Sequence, residues 1–425
     1  MIFMQEKYKD KDLTIEKKRQ LALKRAEELK ERINDYLEAS KNIDTGLKLA
    51  DQIEENKHRI LKYLNATEKD WQDWRWQMRN RFETVEALAK VINLTDQEVE
   101  EIKKVSEKYR WAAVPYYVSL MDPNNPNCPI RKQAIPSILE LNDVLDVVDD
   151  DPMAEEYTSP APCITRRYPD RLIVNVTNQC SMYCRHCQRR RNIGEVDRAR
   201  SLKEIEEAIK YIENNPEIRD VLITGGDAFL LDDDKIDWIL TKLDKIEHVE
   251  IKRFGSRTLA TMPQRITDDL CSILERHHPV YVNTQFNHPK EITKEVLVAT
   301  DKLAKAGVPL GNQSVLLKSI NNDPHIMKKL CHELLKARIK PYYLFHAKAV
   351  TGTSHFITRV EEGIEIMEKM RGYTSGLAIP TYIINAPGGY GKTPILPEYL
   401  ISAGKDYVII RNWEGRMIKY ANKAN

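Results

Sequence analysis

Over residues 1 to about 115, Lys and Glu alternate with Leu, Ile and Ala at helical spacing, and Gly and Pro are nearly absent. That period predicts helix throughout, so residues 1–120 are expected to form an N-terminal helical domain. Thr95 and Glu98 stand three apart ahead of Val99 and Ile102, the spacing of a reciprocal helix cap. Trp71, Trp74 and Trp76 lie among charges and are expected to pack into the domain's own core rather than against a partner. The charge runs before residue 60 read as solvated helix faces.

Prolines then take over. The segments MDPNNPNCPI (121–130) and SPAPC (159–163) flank a short helical pattern near 133–147, and residues 121–165 are expected to be a linker. From Leu172 the period shortens. Apolar or β-branched runs at 172–177, 221–224, 249–254, 280–286, 308–317 and 341–347 alternate with amphipathic helical stretches, for example 201–214, 234–246, 264–277 and 290–306. Strands alternating with helices build parallel βαβ units. Six of them predict an α/β fold, a partial (β/α)6 barrel over 166–372, with chemistry at the carboxyl ends of the strands. Residues 373–425 are expected as a C-terminal segment, with further strands near 378–384 and 407–411.

Composition narrows the function classes. The chain has 425 residues, enough for one large core and a smaller domain. Its 66 Lys+Arg nearly cancel 64 Asp+Glu, for a formal net charge of +2, which calls for no nucleic-acid partner. No apolar run approaches a membrane span, and the charged N-terminus lacks a signal peptide's apolar core. Seven cysteines without such a signal predict a reducing cytoplasm. Cys128, Cys163, Cys271 and Cys331 are scattered and read as small apolar residues.

The other three cysteines are Cys180, Cys184 and Cys187, spaced C-x3-C-x2-C just after the first predicted strand. Three soft thiolates on one loop suit three corners of an iron–sulfur cube, leaving the fourth iron open. A structural zinc would need a fourth ligand, and His186, between two of the cysteines, is poorly placed to be it. Gly225, Gly226 and Asp227 end the second strand, where glycines permit close backbone approach to a ligand. Lys392 follows Gly388, Gly389 and Gly391, which give room for a planar ligand to reach the amine.

The cysteine loop resembles that of radical S-adenosylmethionine enzymes. The tracts from Arg167 to Arg171, CSMYCRHCQRRR (180–191), GGDAFLL (225–231), NQSVLL (312–317) and APGGYGKTP (386–394) together resemble the lysine 2,3-aminomutase family, over about Trp71 to Gly415. The resemblance implies a cytoplasmic isomerase with a 4Fe-4S cluster, S-adenosylmethionine and pyridoxal 5′-phosphate. It implies Cys180, Cys184 and Cys187 as cluster ligands, and Gly225, Gly226, Asp227 and Gln313 at S-adenosylmethionine. It places Arg167, Tyr168 and Arg171 at pyridoxal phosphate, Lys392 as its covalent anchor, and Arg189 on the substrate α-carboxylate. Asn287 and His288 lie in a matching strand-end tract. It also implies an electron donor such as flavodoxin or ferredoxin, and a homodimer or homotetramer.

Departures from the family pattern set the substrate. Where the lysine enzymes place two aspartates around the substrate's distal ammonium, this chain has Lys348 and Asn385. An amine and an amide suit a carboxylate tail, so the expected substrate is L-glutamate, less readily L-aspartate, and the expected product is β-glutamate. Lysine itself is the alternative substrate. A non-catalytic metal-binding interaction protein is the alternative of another class. Asp323 stands where the family has a zinc-ligating cysteine, and no cysteine follows Lys392, so no structural zinc is expected. Gln285 replaces a histidine near S-adenosylmethionine.

Overall fold

The computed structural model describes residues 13–143, 145 and 148–422, so the helical expectation for residues 1–12 lies outside the described residues. The helical front end is a series of helices broken by turns. Ile15–Glu31, Asn34–Asn42 and Ala50–Leu64 are followed by shorter pieces down to Pro115–Ser119. Helix Asp96–Ser106 starts as its sequence signals: Thr95 Oγ1 accepts from Glu98 N–H at 3.2 Å, and Glu98 Oε2 accepts from Thr95 N–H at 2.8 Å. Trp71, Trp74 and Trp76 are buried in one cluster with Phe82, Leu88 and Trp111.

Residues 121–165 are no free tether. Helix Pro129–Ala134 ends at Ile135, whose extended backbone is what Pro136 requires of the residue before it. The helical pattern near 133–147 therefore breaks there, leaving a 3-10 turn at Ile138–Leu141; residues 144, 146 and 147 lie outside the described residues. Cys128, Ile130, Ala134 and Ile135 join the N-terminal core, which also takes in Met182, Leu230 and Met262 from the barrel. The helices and the barrel thus share one apolar seam.

The barrel is a curled sheet of nine strands in chain order. Strands β2 (Arg171–Thr177), β3 (Asp220–Gly225), β4 (Ile251–Gly255), β5 (Val280–Thr284), β6 (Leu310–Leu316) and β7 (Lys340–His346) are the six read from the sequence, and all run parallel. A seventh, β8 (Thr381–Ala386), also pairs parallel with β7, so the parallel sheet continues past residue 372. Short antiparallel strands close the two edges: β1 (Ile164–Thr165) on β2 and β9 (Gly391–Pro394) on β8. The predicted strand at 407–411 is β11 (Tyr407–Arg411), the middle of a separate antiparallel sheet with β10 (Leu400–Ala403) and β12 (Met417–Ala421).

Strand alternation sorts the two faces. Leu172, Val174 and Val176 of β2 pack under the outer helices in the main core. Their neighbours turn inward: Ile173, Leu222, Thr224, Gln313, Val315 and Phe345 line an interior cavity. Among the described residues no helix is long and apolar enough to cross a membrane.

Candidate active site

Loops at the carboxyl ends of β2, β3, β4, β5 and β7 contribute to one cavity of about 290 Å³, which adjoins a second of about 550 Å³. Cys180, Cys184 and Cys187 line the first, together with Arg189, Gly225, Gly226, Asp227, Lys348 and Asn385. Tyr168 and Arg171 line the second. Arg167, Gln313 and Lys392 line both, standing at the junction.

The cysteine loop is held from outside the barrel. Arg81 donates to the Cys180 carbonyl at 2.9 Å and to Asp197 at 2.6 Å. Glu140 receives Arg185 at 3.0 and 2.5 Å and also Arg190, all three side chains buried. Among the described residues, the only three metal-ligand atoms within 4.8 Å of one another belong to Glu54, His58 and Glu68. The three sulfurs therefore do not all lie within 4.8 Å of one another, as they would around one tetrahedral zinc, where Zn–S bonds of about 2.3 Å put sulfurs roughly 3.8 Å apart. That spread suits a larger iron–sulfur cluster. Burial pushes the Cys187 thiol up to about 11, so a thiolate forms there readily only against strong positive charge.

Gly225 and Gly226 are glycines because nothing else fits. A Cβ on either would lie 2.3 Å from the carbonyl of Thr177 or Gln179, at the foot of the cysteine loop. Asp227 is buried, and its carboxylate accepts from Ser256 Oγ at 2.7 Å, Arg257 N–H at 2.7 Å and Phe229 N–H at 3.2 Å. Burial nevertheless raises its pKa. Asp227 thus braces two strand ends, and the glycine backbone beside it also faces the cavity.

Lys392 and Asn385 are directly opposed across the β8–β9 ladder. Gly388, Gly389 and Gly391 all have φ between 71° and 94°, the left-handed region that favours glycine, and they turn the chain between the two strands. Tyr168 accepts the Lys392 backbone N–H at 2.9 Å, and the Lys392 amine lies 5.3 Å from the centre of its ring. The Lys392 residue stays open to solvent, yet protein crowding around its amine, then repulsion from Arg167, Arg171 and Arg253, draw its pKa down to about 8. One nitrogen of Arg167, Nη1, is buried with no partner. An unpartnered guanidinium nitrogen and two further arginines beside an amine are the donor set a phosphorylated aldehyde requires.

Lys348 points its amine at the Gln188 side-chain carbonyl. Burial, then Arg167, Arg189 and Lys392, lower its pKa to about 7. The amide nitrogen of Asn385 is buried and unpartnered. Arg189 is already engaged: its Nε and Nη2 donate to the Glu155 carboxylate at 2.9 to 3.1 Å.

Sequence reading missed Glu155, Gln188 and Arg257. Arg257 is buried, donates to Cys184 Sγ at 2.7 Å and pairs with Glu291 at 2.8 Å. None of the three sits in a periodic pattern; only the position of Gln188 between Cys187 and Arg189 signalled it. Gln285 does line the cavity, with its amide 3.1 Å from His186 Nε2. Asn287 and His288 do not line it: Asn287 bonds Gln133 and Val315, and His288 caps the turn at Pro289–Glu291. Asp323 caps helix Pro324–Lys336.

Comparison with known proteins agrees with this geometry. A family model described as Lysine-2,3-aminomutase matches residues 367–425, and one described as Radical SAM superfamily matches residues 174–330. The glutamate 2,3-aminomutase of Clostridioides difficile (strain 630) is 58% identical over 399 residues, 94% of this chain and 94% of that protein. The L-lysine 2,3-aminomutases of Clostridium subterminale and Fusobacterium nucleatum subsp. nucleatum are 51% and 49% identical, each over 85% of this chain, and over 87% and 85% of those proteins. Identity of that extent means that the chain belongs to the lysine 2,3-aminomutase family of radical S-adenosylmethionine isomerases.

Proposed function

We propose that this enzyme moves the amino group of L-glutamate between C2 and C3, interconverting it with β-glutamate. The observation that carries the substrate is Lys348. Its amine lies in the same cavity as Arg189 and Lys392 and forms no ion pair among the described residues. A substrate ammonium placed there would meet like charge whenever Lys348 is protonated. A substrate carboxylate would instead meet that amine and the unpartnered amide of Asn385. The 58% identity to a glutamate 2,3-aminomutase supports the same choice.

The residues divide the work. Cys180, Cys184 and Cys187 hold the cluster, and Gly225, Gly226, Asp227 and Gln313 frame S-adenosylmethionine. Arg167, Tyr168 and Arg171 surround pyridoxal phosphate, which Lys392 anchors. Bound together, these groups supply a 5′-deoxyadenosyl radical and a ring that delocalises the unpaired electron. The protein supplies placement. Arg189 takes the α-carboxylate while Lys348 and Asn385 take the distal one, so the carbon chain is stretched between two fixed ends. That orients Cβ and keeps water from the radical. With a pKa of about 8, the Lys392 amine is partly unprotonated near neutrality and able to act as a nucleophile.

A one-electron donor such as flavodoxin or ferredoxin would reduce the cluster to start the reaction, which is itself redox-neutral. Assembly as a homodimer or homotetramer is supported by the small C-terminal sheet, which exposes Leu400, Tyr407, Met417, Ile418 and Tyr420. The test is an anaerobic assay of the reconstituted enzyme with L-glutamate and L-lysine in parallel. Glutamate turnover is expected, and Lys348→Asp with Asn385→Asp should move activity toward lysine. Wild-type turnover of lysine but not glutamate would sink the assignment.

A further inference from the structure

The segment from Asp149 to Ser159 straps across the mouth of the barrel. Asp149 N–H donates to the Ala349 carbonyl at 3.1 Å, beside Lys348. The Pro152 carbonyl accepts from Gly388 N–H at 3.0 Å, in the turn leading to Lys392. The Thr158 carbonyl accepts from Arg166 N–H at 2.8 Å, next to Arg167. Near its middle, Glu155 is 6% exposed and faces three guanidinium groups. Arg189 donates through Nε and Nη2; Arg167 lies at 3.6 Å and Arg191 at 3.9 Å.

Five donors on a guanidinium divide into distinct edges. With the Nε–Nη2 edge taken, the edge formed by Nη1 and the outer hydrogen of Nη2 is what Arg189 has left. We propose that Glu155 is a positioning residue for the amino-acid substrate, fixing Arg189 so that this remaining edge meets the α-carboxylate, and tying that arm to Arg167 at the cofactor. Its negative charge has a second effect. The charged groups that bear most on the Lys348 amine are Arg167 on the β1 edge, Arg189 on the cysteine loop, Lys392 on β9 and Glu155 on the strap; of these, Glu155 favours the protonated amine. Glu155 therefore supports both ends of a dicarboxylate substrate, one by geometry and one by charge.

The role rests on the glutamate reading for the identity of the tail but not for the α-carboxylate, which every α-amino acid carries. The experiment is steady-state kinetics on the reconstituted holoenzyme with Glu155→Gln and Glu155→Asp. Glu155→Gln should raise KM by about tenfold or more, with kcat within roughly threefold of wild type. It should also move the alkaline fall in kcat/KM to lower pH by roughly half a unit or more, because Lys348 loses a favourable charge. Glu155→Asp keeps that charge on a shorter arm, so KM should rise while the pH profile stays in place. If Glu155→Gln does not fold, the Asp variant decides alone, and a wild-type KM there overturns the proposal. An unchanged KM in the Gln variant overturns it as well, as does a raised KM with an unmoved pH profile, which would mark a merely structural residue. If the wild type proves to use lysine, the substrate reading fails, whereas the KM effect on lysine still tests Glu155.

Discussion

A buried lysine amine with cations around it and no ion-paired carboxylate holds its proton weakly. Lys348 sits near pH 7 in the free enzyme. A bound carboxylate restores the proton, so substrate binding takes one up above that pH. Below about 7 the amine is charged whether or not substrate is bound, and KM for glutamate should be flat. Above it the free enzyme is increasingly neutral at this position, and KM should climb, approaching tenfold per unit. Steady-state kinetics from about pH 6 to 9 measure this, and a flat KM would remove Lys348 from substrate binding. Legibility at this scale was uneven. Cys180, Cys184 and Cys187 announce themselves by spacing, and Lys392 by its glycines. Lys348 and Asn385 carry no local signal and were visible only against the family pattern. Glu155 was hidden because its partner Arg189 is 34 residues away on an unrelated loop, and pairings of that kind leave no period in a sequence.

At the scale of elements, the six-strand reading came from β-branched runs bounded by helical stretches, and those strands fold within a few residues of their expected ends. The seventh was harder to place. TYIINA (381–386) reads as a strand, but its membership of the parallel sheet depends on pairing with β7 and on the helix before it. That helix, Val360–Met370, lies close to β8 through Gly363, where an added Cβ would meet the Tyr382 ring at 2.2 Å. Gly363→Ala should push helix and strand apart at a cost of about 1–3 kcal/mol. A lower midpoint in thermal unfolding is the expected readout, and an unchanged one would mean the ring swings aside freely. The stretch expected as a linker also contributes to a core. Prolines break helices, but they say nothing about burial, and Cys128, Ile130 and Ile135 between them are core residues.

At the scale of the whole molecule, the helical front end and the proline-rich stretch form a clamp around the cysteine loop. Glu140, at the centre of that clamp, neutralises both Arg185 and Arg190 in a buried site. Arginine neighbours hold its pKa below the usual carboxylate range despite burial. Glu140→Gln would leave two buried guanidinium groups short of a counter-charge, a loss of about 3–5 kcal/mol by analogy with other broken buried pairs. The expected results are a lower unfolding midpoint and less iron retained after reconstitution, measured by metal analysis. Full iron content and an unchanged midpoint would show that the clamp is dispensable.

Asn385 and Lys392 face each other across a two-stranded rung, one proposed for the tail of the substrate and the other for the cofactor. Their separation along the chain is a single glycine-rich bend, so a one-residue insertion there would throw both out of register at once. A substitution at Asn385 leaves the lysine and its bend untouched. Diversification of this scaffold toward new amino acids is thus open to point changes on one strand and closed to changes in loop length, and laboratory evolution of its specificity should follow the same rule.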